Sequence, residues 1–200
     1  MTSQNQFYDD NAEQFFDSTV SVEMGDIYDR FLPYLNCQGT DTKGLVVDAG
    51  CGSGRDAKFY LNQGFEVYAF DASPTLAKKA TEYLGQNVDV TTFDSFKINK
   101  KAQGIWCCAS LLHVPRSALP QAINNIERHL ASGGALYVSF KYGTEERIHN
   151  GRSFTDMNEA LLADLFDGFS NFELKERWIS ADNRPDRQDE KWLNAIFIKR

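Results

Sequence analysis

From residue 45 onward, short apolar runs alternate with stretches of helical spacing. LVVDA (45–49) reads as a buried strand, and residues 55–63 as a helix that Gly64 closes. FEVYAFD (65–71) is a second strand. Ser73-Pro74 opens a helix to about Leu84, and Gly85 ends it. VDVTTFD (88–94) and GIWCCAS (104–110) are the third and fourth strands. A helix over 117–130 stops at SGG, and ALYVSFKY (135–142) is the fifth strand. A helix over 155–166 takes Thr155 as its N-cap. Ahead of this core, residues 11–35 predict one or two helices. Met24, Ile27, Tyr28, Phe31, Leu32 and Leu35 form their apolar stripe. CQGTDTKG (37–44) is a polar connection.

The end of the chain changes the pattern. FELKERWIS (172–180) and KWLNAIFIKR (191–200) are separated by only ADNRPDRQDE, too short for a crossover helix, so they predict an antiparallel hairpin. The fold class is therefore α/β, a doubly wound parallel sheet closed by an antiparallel last strand.

Composition keeps the picture globular. Of 200 residues, 42% are hydrophobic and 24% charged, enough for one domain with its own core. We expect a single domain over 1–200, with residues 1–36 as a helical lid and 44–200 as the core. No apolar run is long enough to span a bilayer, and MTSQNQFYDD lacks the features of a secretory signal, so a cytoplasmic location is the expectation. Cys37, Cys51, Cys107 and Cys108 form no metal-binding spacing and read as reduced, mostly buried thiols. The net charge of -7 is concentrated in residues 1–35, where seven acids face one base, Arg30. With no basic run anywhere, the chain lacks an electrostatic footprint for nucleic acid.

The chemistry is signalled by the turn after the first strand. Gly50, Gly52 and Gly54 alternate there, at the edge where open parallel sheets bind ligands. Gly52, Gly54 and Ala57 fit G-x-G-x-x-A, a weak dinucleotide pattern. From Asp48 the stretch also fits D-x-G-x-G-x-G. Asp71 ends the second strand, where a carboxylate can bind ribose hydroxyls in either ligand class.

Asp48-Ala49-Gly50-Cys51-Gly52-Ser53-Gly54 resembles the first motif of class I S-adenosylmethionine-dependent methyltransferases. The resemblance continues through FDAS (70–73), FDSF (93–96) and SLLHVP (110–115) and covers nearly the whole chain. It implies a seven-stranded Rossmann-like sheet of order 3-2-1-4-5-7-6, S-adenosylmethionine as cofactor and S-adenosylhomocysteine as product. Asp94 would then meet the adenine amino group, with Ser95 and Phe96 beside the ring. The implied cofactor set is Tyr8, Asp48, Gly50, Cys51, Gly52, Gly54, Arg55, Asp71, Ala72, Asp94, Ser95, Phe96, Ala109, Ser110 and Leu111. Within the family the chain is similar to small bacterial proteins labelled tellurite-resistance-type methyltransferases. In their lid a tyrosine like Tyr8 lies over the cofactor. SFKYGTEER, GRSFTD and RPDRQDEKWLN also resemble that subgroup.

Methyl transfer by in-line displacement needs an oriented nucleophile and a dry site, and no metal. His113 is the candidate base, and Tyr8 and Tyr142 could orient or deprotonate an acceptor. Lys141, Arg147, Arg152, Arg184 and Trp192 converge at the ligand edge and point to a small anionic acceptor, clamped by Arg147 or Arg152. Pairing of these cations with Glu145, Glu146, Asp186, Asp189 or the acidic lid is the competing reading. A macromolecular acceptor, tRNA or protein, a cofactor-binding module without catalysis and an NAD-dependent oxidoreductase also compete. Oligomeric state is not encoded in any pattern here.

Overall fold

The computed structural model describes residues 3–35, 43–184 and 187–200, so Cys37, Asp186 and most of the CQGTDTKG connection lie outside the described residues. The N-terminal part forms three helices, α1 (Ser3–Asp10), α2 (Ala12–Thr19) and α3 (Gly25–Phe31), and a 3-10 turn at Leu32–Tyr34. The core alternates β1 (Leu45–Ala49), α4 (Arg55–Asn62), β2 (Glu66–Asp71), α5 (Pro74–Leu84), β3 (Asp89–Val90), β4 (Ala102–Cys107), α6 (Leu119–His129) and β5 (Leu130–Lys141). There follow β6 (Glu146–His149), β7 (Arg152–Thr155), α7 (Glu159–Asp167), β8 (Phe172–Ala181) and β9 (Lys191–Lys199).

The main sheet has seven strands in the order β3-β2-β1-β4-β5-β9-β8. β9 runs antiparallel to both neighbours, pairing Val138 with Ala195 and Ile179 with Leu193. This is the Rossmann-like order read from the sequence, with β9 in the place of the reversed seventh strand. β1 is an interior strand beside the central β4, every residue buried because helices cover both faces. Val47, Ile105 and Val138 face α6 and α7, whereas Val46, Trp106 and Tyr137 face α3 and α4. On the second face Trp106 stacks on Tyr137 at 4.0 Å, with Phe31 edge-on to it at 5.1 Å. That contact docks the apolar stripe of α3.

The N-terminal helices start earlier than read, at Ser3, and β5 starts at Leu130, and three further differences bear on the site. The third strand is two residues long, because the amides of Ser95 and Phe96 bond back to the Thr92 carbonyl and curl the chain into a turn. The last helix begins at Glu159, capped by Asn158, whose Oδ1 accepts from the Leu161 amide at 2.9 Å. Thr155 instead ends β7, its hydroxyl donating to the Val114 carbonyl at 2.8 Å. Third, β6 and β7 form a separate two-stranded hairpin closed at Asn150-Gly151 (φ 51° and 76°).

Candidate active site

The turn after β1 is built for close approach. Gly50 and Gly52 have φ of +73° and +55°. A Cβ on Gly50 would lie 2.7 Å from the Ser110 Cβ, and one on Gly52 would lie 2.9 Å from the Phe15 ring. Only glycine fits either place. The amides of Gly50 and Cys51 both donate to the Phe70 carbonyl, which ties the turn to β2. Asp71 takes the next two donors, from the Gly52 amide at 2.8 Å and the Ser73 amide at 2.9 Å. Burial pushes the Asp71 carboxyl above its usual range.

Two of the predicted cofactor residues support this turn without reaching the ligand edge. Asp48 is buried beneath it and accepts from the Ala57 amide at 2.8 Å. Burial, reinforced by the nearby charge of Asp56, raises its carboxyl well above normal. Gly54 caps α4 in the left-handed conformation and packs toward Ala80 and Leu84.

Two cavities, each about 510 Å³, meet over this turn. Tyr8, Phe15, Gly50, Gly52, Ala109 and His113 line both. The second cavity is walled by Asp71, Ala72, Thr92, Phe93, Asp94 and Ser110. Asp94 is exposed at its lip and accepts from the Thr92 hydroxyl at 2.5 Å. The early curl after β3 changes which aromatic faces this cavity. Phe93 lines it, whereas Phe96 is 1% exposed in the core, stacked on Phe70 at 4.9 Å. The placement of Phe96 beside a ligand ring is corrected on this ground. Ser95 bonds to Thr91 and Thr92 outside the lining, and Leu111 is fully buried. The Ser110 hydroxyl is buried with no partner among the described residues, and Ala109 holds a strained φ of 50°. The glycine cradle, the Asp71 carboxylate and this orphaned hydroxyl together fit a nucleoside ligand with donors and acceptors of its own.

Helices α1 and α2 bring Tyr8 and Phe15 to the junction. Asp9 accepts from the Ser73 hydroxyl at 2.5 Å and the Thr75 amide at 3.1 Å, capping α5 from outside, and Glu13 pairs with Lys79 at 2.5 Å. These contacts bring the Tyr8 hydroxyl to 2.7 Å from His113 Nε2. On the other side His113 Nδ1 lies 2.7 Å from the Ser153 carbonyl of β7. A carbonyl only accepts, so Nδ1 carries the proton, and Nε2 accepts from the Tyr8 hydroxyl. Burial lowers the His113 pKa to about 4, and the charges of Arg152 and Lys141 press the same way. Burial raises that of Tyr8, against the pull of Arg152.

The first cavity gathers the predicted cations, and most already have partners. Arg147 forms a two-point bond to Asp156 (3.0 and 3.2 Å), and Lys141 pairs with Glu190. Arg184 clasps Asp182, which also accepts from Trp192 Nε1 at 3.1 Å. Arg55 is held by Asp56. Arg152 differs: its guanidinium lies over Phe7 at 4.6 Å and Phe154 at 5.1 Å, and its buried Nε has no partner. Tyr142 is outside both cavities, 41% exposed and bonded to Glu159 at 3.1 Å. Its catalytic assignment is corrected, since the end of β5 turns that ring toward α7.

Sequence reading missed Asp56, which lines the first cavity and gathers Tyr28 (2.5 Å), Trp106 (2.9 Å) and Arg55 on one carboxylate. It also missed Phe15 and the hairpin. The Asn150-Gly151 dipeptide was a usable signal for the hairpin; nothing marked the Ser153 carbonyl.

Comparison with known proteins agrees with this construction. Residues 46–134 match a family described as a methyltransferase domain. A ubiquinone biosynthesis O-methyltransferase of Rickettsia canadensis (strain McKiel) is 31% identical over 99 residues, 47% of this chain and 41% of that protein. The chain thus spans about two fifths of that relative's length. An uncharacterized methyltransferase of Staphylococcus carnosus (strain TM300) is 24% identical over 168 residues, covering 79% of this chain and 81% of that one. Among solved structures, the Burkholderia thailandensis 1,6-didemethyltoxoflavin-N1-methyltransferase, with bound 1,6-didemethyltoxoflavin and S-adenosylhomocysteine, superposes with a TM-score of 0.73. It is 21% identical, over 97% of this chain and 84% of that chain, and so shares the fold.

Proposed function

We propose that this chain is a class I S-adenosylmethionine-dependent methyltransferase acting on a small, anionic acceptor. The observation that carries the reading is the meeting of two cavities over Gly50 and Gly52, roofed by Tyr8 and joined at His113. One cavity suits a nucleoside, and the other suits a second molecule. A module that only bound cofactor would need the nucleoside cavity alone.

S-adenosylmethionine, when bound, supplies an activated methyl group on a sulfonium. Asp71 accepts from the ribose hydroxyls, and Asp94 from the adenine amino group, with Phe93 beside the ring. The backbone at Gly50, Cys51, Gly52 and Ala72 lets the nucleoside approach, and Ala109 and Ser110 flank its amino-acid part. Arg55 stays with Asp56, supporting the wall. Tyr8 and Phe15 exclude water, which strengthens every charge interaction inside. The acceptor occupies the first cavity beside Arg152, with Lys141, Arg147, Arg184 and Trp192 shaping its walls. The similarity to a Rickettsia enzyme and a Burkholderia enzyme named for small-molecule methylation supports an acceptor of that size. The acidic lid argues against tRNA. The likeness to tellurite-resistance-type proteins remains a subgroup proposal and names no substrate.

Calorimetric titration with S-adenosylmethionine, S-adenosylhomocysteine and NAD tests the reading. The first two are expected to bind at one site and raise the melting temperature. Stabilisation by NAD with no response to either adenosyl compound would reject it.

A further inference from the structure

The chemistry of the acceptor can be narrowed further, given the methyltransferase reading. Two groups border the junction on the acceptor side, and they point to the same conclusion. The first is His113. Its Nδ1–H is committed to the Ser153 carbonyl, and its Nε2 lone pair is occupied by the Tyr8 hydroxyl. The Tyr8 ring meets the imidazole edge-on at 5.5 Å, and the Phe154 ring lies 5.1 Å away, tilted by 57°. The charged groups acting on it, Arg152 and Lys141, both oppose its taking a proton. A side chain in this setting is a poor acceptor of a proton from an amine or a phenol, because protonation would put a third positive charge beside two others in a dry site.

The second group is Arg152. Arg55, Lys141, Arg147 and Arg184 are each bonded to a carboxylate of the chain. Among the described residues Arg152 forms no such ion pair, although it lines the same cavity. Phe7 and Phe154 hold its plane, and its Nε is sealed from solvent with no acceptor. A buried donor left open on a charged side chain is costly unless an acceptor completes it. Arg152 also acts on Tyr8 through its charge and a side-chain hydrogen bond, which places it at the junction and not at the far end of the cavity.

We propose that Arg152 seats the carboxylate of a small organic acid, and that this carboxylate is itself the group methylated, giving a methyl ester. A carboxylate is ionised at neutral pH and needs no base, which agrees with a histidine that has no free lone pair. In the step, a carboxylate oxygen lone pair forms the new O–CH₃ bond. The carbon–sulfur bond breaks, and its electron pair stays on sulfur. The anion and the sulfonium are both neutralised, and no proton moves. The fork geometry of arginine lets it hold one oxygen and present the other. Once esterified, the product carries no charge and loses its hold on Arg152, which favours its release.

The first test is binding, with the protein saturated by S-adenosylhomocysteine and titrated with benzoate or its neutral counterpart benzamide. Wild type should bind benzoate and not benzamide. Arg152→Gln should bind benzoate at least tenfold more weakly, while keeping its affinity for S-adenosylhomocysteine, which shows that the variant is folded. Tyr142→Phe, outside the cavity, should match wild type. Benzoate binding that is absent in wild type, or equal in Arg152→Gln, would overturn the proposal. The second test uses methyl-labelled S-adenosylmethionine with benzoate, phenylacetate and cinnamate against aniline and phenol. Label should enter the acids and be released as methanol by mild alkali. Alkali-stable label in the amine or phenol would overturn the ester and leave the methyltransferase reading standing. Failure to bind S-adenosylhomocysteine at all would instead remove that reading.

Discussion

His113 gives the structure a measurable dependence on pH. In the folded chain its pKa is held to about 4, whereas in an unfolded chain it returns to 6.5. Between these values the unfolded state binds the extra proton, so stability rises with pH across the window. The contribution is complete above pH 6.5 and is lost as pH falls toward 4. A drop of that size corresponds to about 3 kcal/mol, at about 1.4 kcal/mol for each pH unit. Burial sets most of it and the charges of Arg152 and Lys141 press the same way, while the bond to the Ser153 carbonyl opposes them. The perturbation is His113→Gln, whose amide can donate to the Ser153 carbonyl and accept from Tyr8 without titrating. Urea unfolding at intervals from pH 4 to 7 gives the stability of each protein. Carboxylates such as Asp48, Asp56 and Asp71 titrate in both, so the difference between the curves isolates the imidazole. Wild type should lose about 3 kcal/mol more than the variant between pH 7 and 4. Parallel curves would refute the burial argument.

Other substitutions test other parts of the structure. Asp56→Ala leaves Arg55, Tyr28 and Trp106 without their shared acceptor and should cost about 3–5 kcal/mol in urea unfolding. Gly50→Ala adds a Cβ 2.7 Å from Ser110 at a positive φ and should abolish binding of S-adenosylhomocysteine by calorimetry. Tyr142→Phe should leave stability within about 0.5 kcal/mol and kcat/KM unchanged, because its ring is on the surface. Gly151→Val strains the hairpin turn by about 1–2 kcal/mol and should raise the acceptor KM while sparing cofactor affinity.

Much of the fold was legible because its signals are local. LVVDA could only be a buried strand, and the ten-residue gap before β9 forced the reversed pairing. The glycines at 50 and 52 announced a ligand because nothing larger fits there. What was not legible depends on side chains that reach across the fold. Phe93 and Phe96 are equally aromatic, and only the hydrogen bonds of the turn after β3 decide which one faces the cavity. Asp56 sits beside an arginine in a helix and looks like a solvated pair; the packing of α3 and β4 makes it a buried node. Arg147 and Arg152 are interchangeable in the sequence. Asp156 claims the first, and the second lies against two phenylalanine rings instead.

The β6–β7 hairpin pairs with no strand of the main sheet, yet successive residues near its tip serve different ends. Arg152 lines the first cavity, and the carbonyl of Ser153 bonds the histidine at its border. Such an insert behaves as an exchangeable cartridge. Its length and tip can drift in descendants without disturbing a single rung of the seven-stranded ladder. Selection for a new acceptor would therefore act first on about ten residues, while the nucleoside-binding half is inherited intact.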